Sequence, residues 1–406
     1  MKHHFAIIMA GGVGSRFWPM STTNHPKQFL DILGNGETLL QQTFKRLEKI
    51  CLKENIYVVT SSIYKQLVFS QLPDLIQENV LFEPVRRNTA PCIAFASYKI
   101  HKRDPKAIVI VAPSDHLIKK EAVFIKSILS CFKKAEKENC LITLGIKPTR
   151  PDTGYGYIQF VKSDQVEVDK RIKKVKTFTE KPDHDMANFF VKSGDFLWNS
   201  GIFVWSTQSI IEAMEKHDSE LANLFKEGWD IYNTSKEEEF INRAYAVCKN
   251  ISIDYSVMEK ATNVYVRSSI FGWSDLGTWG SLHEQIEKDK NNNAIVGRNI
   301  ITYDCNNCIV QVPKEKLVVL QGLEDFIVVD GDNTGAGVTS PAECTFDISI
   351  LGTGVDRLVP SAQITPTNLS FCANEIIYLG VNLANCPDSS NISWYVNGTV
   401  EAVTSD

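Results

Sequence analysis

From its N-terminus this chain alternates short apolar, β-branched runs with amphipathic stretches, and no other feature limits its fold as strongly. FAIIMA is followed by the helical stretch Thr38–Ile50, IYVVT by a helix running to Leu72, VLFEP by a helix Ala90–His101, AIVIVAP by a helix Glu121–Glu138, and then comes CLITLGI. Strands that alternate with helices predict an α/β fold, a mainly parallel sheet with helices on both faces. Ligands of such sheets gather at the carboxyl ends of the strands, so the loops after each run are where chemistry is expected.

The pattern then changes twice. Residues 150–285 add strands around Tyr157–Val161, Lys174–Thr179 and Ile202–Trp205, with helices around Asp183–Lys192 and Thr207–Lys216, and read as an insertion covering the open edge of the sheet. Residues 286–330 carry closely spaced β-runs (AIVGRNIITY, CIVQVP, KLVVLQG, DFIVVD), which suggest a small β-helix-like unit. Beyond Asp330 the chain has no lysine and is rich in Ser, Thr, Asn and Gly, with alternating runs such as EIIYLGV and ISWYVNG. That is the pattern of an all-β, immunoglobulin-like segment with Trp394 as its core tryptophan. The expected organisation is a catalytic domain over 1–285, a short β-unit over 286–330 and a foreign all-β tail over 331–406, either a fused or misassembled reading frame or an appended domain.

Charge is unevenly divided. The net charge is −5, yet the tail holds eight acidic residues against Arg357 alone, which leaves a nearly neutral body. Such a body suits a small anionic substrate and not nucleic acid, which calls for a basic face. No apolar run reaches the ~18 residues of a membrane helix and the start has no secretory pattern, so a cytoplasmic protein is expected. Of the ten cysteines, the seven before Asp330 are scattered and read as reduced thiols, and the isolated pair Cys305 and Cys308 reads as turn residues. Cys372 and Cys386 could pair only if the tail were exported.

The chemistry-bearing string is AGGVGSRFWPMSTTNHPKQFL, residues 10–30, directly after the first strand. Gly11, Gly12 and Gly14 allow a tight curl whose backbone N–H groups can face phosphate oxygens, starting from Ala10. Arg16 and Lys27 add the positive charge that a triphosphate or departing pyrophosphate needs. The dinucleotide fingerprint fails because Phe17 stands where its third glycine belongs, and no GK[ST] exists for a P-loop. Downstream, Asn88 or Thr89 in EPVRRNTAP can cap a helix and so offer free N–H groups. Asp115 ends the AIVIVAP strand, where a carboxylate can hold Mg²⁺ against phosphate.

This string, with FWP, PKQF, RNTAP and GWSDLGTW, resembles the signature of nucleoside-diphosphate-sugar pyrophosphorylases, and within them the mannose-1-phosphate guanylyltransferases, over nearly all of residues 4–330. The resemblance implies a Rossmann-like nucleotide-diphospho-sugar transferase fold and transfer of GMP from GTP to mannose 1-phosphate with Mg²⁺. It assigns Ala10, Gly11, Gly12, Gly14, Arg16, Lys27, Arg87, Asn88, Thr89 and Asp115 to the nucleotide, and Asp115 with Asp275 to the metal. Arg16, Lys27, Asp115 and Asp275 would be the catalytic set. The runs TGYGYI, FTEKP and WNSGIFVW assign Gly156, Tyr157, Glu180, Lys181, Asn199 and Gly201 to the sugar phosphate. Asp254 and Glu259 of IDYSVMEK match as well, with no contact assigned.

The implied reaction is an in-line displacement at the α-phosphorus of GTP by an already ionised phosphate oxygen, which leaves none of the eight histidines a catalytic role. A homodimer is left open. Two rival readings are weighed: a sister enzyme joining glucose 1-phosphate to TTP or UTP, and a surface or adhesion protein, to which only the tail points. The tail lacks histidine, so a fused metal-dependent isomerase is not expected.

Overall fold

The computed structural model describes residues 1–12, 17–18, 20–162 and 169–330, and in the tail only the strand segments 348–352, 380–381, 394–396 and 399–401. Gly14, Arg16 and nearly all of the immunoglobulin-like reading, Cys372 and Cys386 included, lie outside the described residues. Two compact units are present, one built mainly from residues 1–13 and 37–276 and the other from 14–27, 31–36 and 277 onward.

The larger unit runs β1 (His4–Met9), α1 (Leu39–Leu47), β2 (Ile56–Ser61), α2 (Lys65–Gln71), β3 (Val80–Glu83), α3 (Thr89–Arg103), β4 (Ile108–Pro113), β5 (Leu117–Ile118), α4 (Glu121–Ala135) and β6 (Leu141–Ile146). It continues with β7 (Tyr157–Phe160), β8 (Ile172–Thr179), α5 (His184–Ser193), β9 (Phe196–Ser206), α6 (Thr207–His217), α7 (Ser219–Lys226), α8 (Glu237–Val247), β10 (Val264–Ser269) and β11 (Trp273–Ser274). Nine strands form one sheet in the order β3-β2-β1-β4-β9-β6-β10-β8-β7. The expected α/β sheet is there, parallel across β3-β2-β1-β4 and between β6 and β10. It is mixed elsewhere, because β9 enters antiparallel between β4 and β6. The middle of the chain therefore supplies a central strand as well as covering an edge.

Both faces of the sheet are buried, which explains why its central strands read as unbroken apolar runs. Phe5, Ile7, Tyr57, Val59, Val109 and Val111 pack into one core with α3, α6, α7 and α8. Their alternates Ala6, Ile8, Ile56, Val58, Ile108 and Ile110 pack into another with α1, α2 and α4. Local signals set the helix ends. Thr38 and Gln41 make a reciprocal capping box on α1, Asp183 caps α5, and Gly194 closes α5 in the left-handed conformation.

In the smaller unit, α9 (Trp279–Gln285) precedes β12 (Ala294–Val296), β13 (Asn299–Tyr303), β14 (Ile309–Gln311), β15 (Leu317–Gln321) and β16 (Phe326–Asp330). β12-β14-β16 and β13-β15 form parallel ladders, as successive coils of a β-helix do. Cys305 and Cys308 are buried in its core, with thiols directed at the backbone carbonyls of Tyr303, Asn306 and Leu323. All seven cysteines before Asp330 are free and buried. Among the described residues no helix is long and apolar enough to cross a membrane.

Candidate active site

The strand ends fix the first part of the phosphate loop. Ala10 N–H donates to the Val59 carbonyl at 2.8 Å, and Ser114 N–H donates to the Met9 carbonyl at 3.0 Å, which ties the ends of β1, β2 and β4 together. The buried Gln28 then reaches back, its Nε2 donating to the carbonyls of Ala10 (3.0 Å) and Gly12 (2.8 Å), and Thr60 Oγ1 adds a third bond to Ala10. Gln28 belongs to the PKQF run, but a neutral amide carries no phosphate signal, and sequence reasoning assigned it nothing.

Gly11 has a specific neighbour. A side-chain carbon on it would stand 3.1 Å from Oε2 of Glu83, the last residue of β3. Glu83 is buried and receives the Tyr245 hydroxyl on Oε1 at 3.0 Å, and burial pushes its carboxyl up to about 7. A protonatable group thus lies against the loop. Its position before a proline, at a strand's carboxyl end, was the one available sequence signal. In the smaller unit, Lys27 is buried within the 3-10 turn Lys27–Phe29 with Nζ 5.6 Å from the Phe17 ring centre.

Asn88, at φ 66°, caps α3 by accepting from Thr89 N–H, while the Thr89 hydroxyl accepts from Ile253 N–H at 2.9 Å. Arg87 is directed elsewhere: its Nε and Nη2 donate to the Tyr245 and Ala246 carbonyls at the end of α8. The expected nucleotide contact would have to compete with those bonds.

The segments carrying Asp115 and Asp275 are joined by a short antiparallel ladder, in which β5 pairs with β11 as Ile118 with Trp273 and Leu117 with Ser274. Asp115 lies two residues before Leu117 and Asp275 one residue after Ser274, so the ladder links segments some 160 residues apart in sequence. His116 does structural work beside them, its Nδ1 accepting from Trp273 Nε1 at 3.2 Å. Tyr155 donates from its hydroxyl to Asp275 Oδ1 at 2.7 Å, and burial and the Asp275 charge push its phenol upward.

On the sugar side, a side-chain carbon on Gly156 would meet Glu180 Oε2 at 2.3 Å, so only glycine lets that carboxylate approach. Lys181 holds an ion pair with Glu180 at 3.3 Å but is mostly exposed, free to turn toward a phosphate. Asn199 N–H donates to the Gly156 carbonyl at 2.7 Å, its Oδ1 accepts from the Thr143 hydroxyl at 2.9 Å, and its Nδ2 donates to Asp254 Oδ1 at 2.9 Å. Asp254 begins a π-helical turn, Asp254–Met258, and is largely enclosed while keeping some solvent contact. Burial and the nearby Glu180 charge raise its carboxyl to about 7. Glu259 is also pushed up, chiefly by burial. Gly201, at φ 68°, sits beside Pro113 and His116.

Tyr157 must be corrected. It is fully buried on β7, with its hydroxyl on the Asp152 carbonyl and its ring against Phe190, so it packs the core and presents no face to a sugar.

Backbone strain marks the same places. Of the eight non-glycine residues described with positive φ, six are Asn or Asp, which tolerate it. The two exceptions are Lys181 and Leu276, each immediately after a site carboxylate, Glu180 and Asp275. Strain of this kind persists where surrounding structure over-determines it, typically at functional sites.

A mixed nucleotide-type sheet with a glycine loop at its strand ends and an aspartate beside each strand of the β5–β11 ladder defines a class. Residues 5–292 match the model described as "Nucleotidyl transferase", and the chain belongs to the nucleotidyl transferase family. Among its relatives, the mannose-1-phosphate guanylyltransferase of Salmonella montevideo is 35% identical, over 84% of this chain and 72% of that protein. The alginate biosynthesis protein AlgA of Pseudomonas aeruginosa is 34% identical, over 80% of this chain; the chain spans 66% of AlgA's length. A crystal structure from Thermus thermophilus, described as a mannose-1-phosphate geranyltransferase, superposes with a TM-score of 0.72 at 28% identity, covering 82% of this chain and 93% of that one.

Proposed function

We propose that this chain transfers GMP from GTP to α-D-mannose 1-phosphate, releasing pyrophosphate and forming GDP-mannose. The observation that supports the reading is the β5–β11 ladder, which joins the segments carrying Asp115 and Asp275 just beyond the end of β4. Support for the particular substrates comes from relatives at 34–35% identity, one bearing that enzyme's name.

The donor set suits Mg²⁺. Among the described residues no cluster of three or more His, Cys, Asp or Glu is assembled. Mg²⁺ is usually held by one or two carboxylates, with waters and substrate phosphates completing its shell. Asp115 and Asp275 would hold it, and when bound it supplies charge neutralisation at the triphosphate oxygens.

The chain's own residues do the rest. The loop starting at Ala10, fixed by Gln28, receives the triphosphate on Gly11 and Gly12; by resemblance to the family, Gly14, Arg16 and Lys27 are assigned further phosphate contacts. The cap of α3 lies toward the nucleoside. Glu180, Asn199 and Asp254 face the sugar hydroxyls, and Lys181 steers the 1-phosphate toward the α-phosphorus. Two polyanions must be brought together, so positioning and charge screening carry the catalysis and no general base is required. A reaction drawing on GTP suits the cytoplasm.

The test is pyrophosphate release across a panel of nucleotides and sugar 1-phosphates. The reading expects GTP with mannose 1-phosphate to be the preferred pair and Asp115→Asn to lower kcat at least about 100-fold, the loss typical of removing a major electrostatic stabiliser. A preference for TTP or UTP with glucose 1-phosphate, or full activity in Asp115→Asn, would overturn it.

A further inference from the structure

We propose that Tyr155 is a positioning residue that fixes the Asp275 carboxylate and ties it to the sugar-phosphate side of the pocket. The inference rests on the metal role given above to Asp275.

Tyr155 reaches both halves of the site. Its hydroxyl donates to Asp275 Oδ1 at 2.7 Å, while its carbonyl accepts from Lys181 N–H at 3.2 Å. Its ring is wedged edge-on between Trp198 of β9 (5.0 Å between ring centres) and Trp273 of β11 (5.3 Å). Each tryptophan precedes a site residue, Asn199 in one case and, two positions on, Asp275 in the other. A tyrosine held this way has little rotamer freedom, so its hydroxyl is a fixed donor and not an opportunistic one.

The contacts meet the strained backbone directly. Lys181 and Leu276, the two positive-φ residues among the described residues that are neither Asn, Asp nor Gly, follow Glu180 and Asp275, and Tyr155 bonds to Lys181 itself and to the carboxylate beside Leu276. A carboxylate swings about two side-chain torsions unless something holds it. A bond from a locked phenol leaves Asp275 oriented before the metal arrives, and the Lys181 bond makes that orientation sensitive to the loop that receives the sugar phosphate.

Tyr155→Phe removes only the hydroxyl and keeps the ring in its slot. Mn²⁺ affinity would be measured by electron paramagnetic resonance on the full chain with a non-hydrolysable GTP analogue, beside the Mg²⁺ dependence of turnover. We expect Mn²⁺ Kd and the Mg²⁺ activation constant each to rise about tenfold, with KM for GTP at saturating metal within twofold and Tm nearly unchanged. In Asp275→Asn, adding Tyr155→Phe should cost nothing further. A merely structural role would lower Tm without moving the metal dependence. If Asp275→Asn loses Mn²⁺ and Tyr155→Phe binds it as the parent does, the positioning role is overturned and the metal site stands. If Asp275→Asn also binds Mn²⁺ normally, the metal reading falls and the positioning role with it.

Discussion

Asn199 is locked in one amide orientation by Thr143 and thereby aims its NH2 at Asp254, 2.9 Å away. The residue expected to touch the sugar is thus also the one that holds a second carboxylate facing Glu180. Replacing it with aspartate would set a third anion against two that already repel. We expect Asn199→Asp to raise KM for mannose 1-phosphate at least tenfold while KM for GTP stays within about twofold, in steady-state kinetics with each substrate varied.

Glu83 and Asp254 both have carboxyls raised to about 7, burial being the first cause in each. Between the ordinary carboxylate range and pH 7 the native state therefore holds protons that the unfolded chain has released. Stability from these groups is present below the unfolded-state pKa and is lost as pH rises toward 7. Tm should fall between pH 5 and pH 8. In Glu83→Gln, which keeps an oxygen for the Tyr245 hydroxyl, that fall should be shallower and Tm at pH 8 higher than in the parent. A parallel curve would show that Glu83 ionises without cost.

Gly156→Ala tests the close approach on the sugar side. The added methyl would overlap Glu180 Oε2, so the carboxylate must swing away. The expected result is a KM for mannose 1-phosphate about tenfold higher, about 1.4 kcal/mol of lost binding, with the fold retained by circular dichroism.

Gln28 makes one buried and one part-buried bond to the phosphate loop, and Gln28→Ala removes both, though Thr60 still serves Ala10. With Thr60 still on Ala10 and Gly12 open to solvent, the loss is that of an ordinary hydrogen bond, about 0.5–1.5 kcal/mol. Urea unfolding should show a loss of that order, and KM for GTP should rise more than KM for the sugar phosphate.

Much of the site was legible because its residues sit in short strings whose chemistry is local. A glycine loop after a strand, a cap before a helix and an aspartate at a strand end each follow from a few neighbours. Glu83, Gln28 and Tyr155 escaped because their roles depend on partners far along the chain: Tyr245, the carbonyls of the loop, and Asp275. Tyr157 was misread for the same reason. Tyr155 and Tyr157 flank Gly156 in one string, and no local rule says which of them β7 buries.

The sequence by itself determined the alternating elements, the helix caps, the phosphate loop and the residue types of the pocket, because periodicity and turn chemistry act over a few residues. The tertiary structure alone decided that β9 enters antiparallel between β4 and β6, that the segments carrying Asp115 and Asp275 are joined by the β5–β11 ladder, and that burial pushes the Glu83 and Asp254 carboxyls up to about 7. Strand order, register and burial arise from contacts between segments far apart in the chain. Their energies depend on which partner is met, and no short window of sequence contains that information.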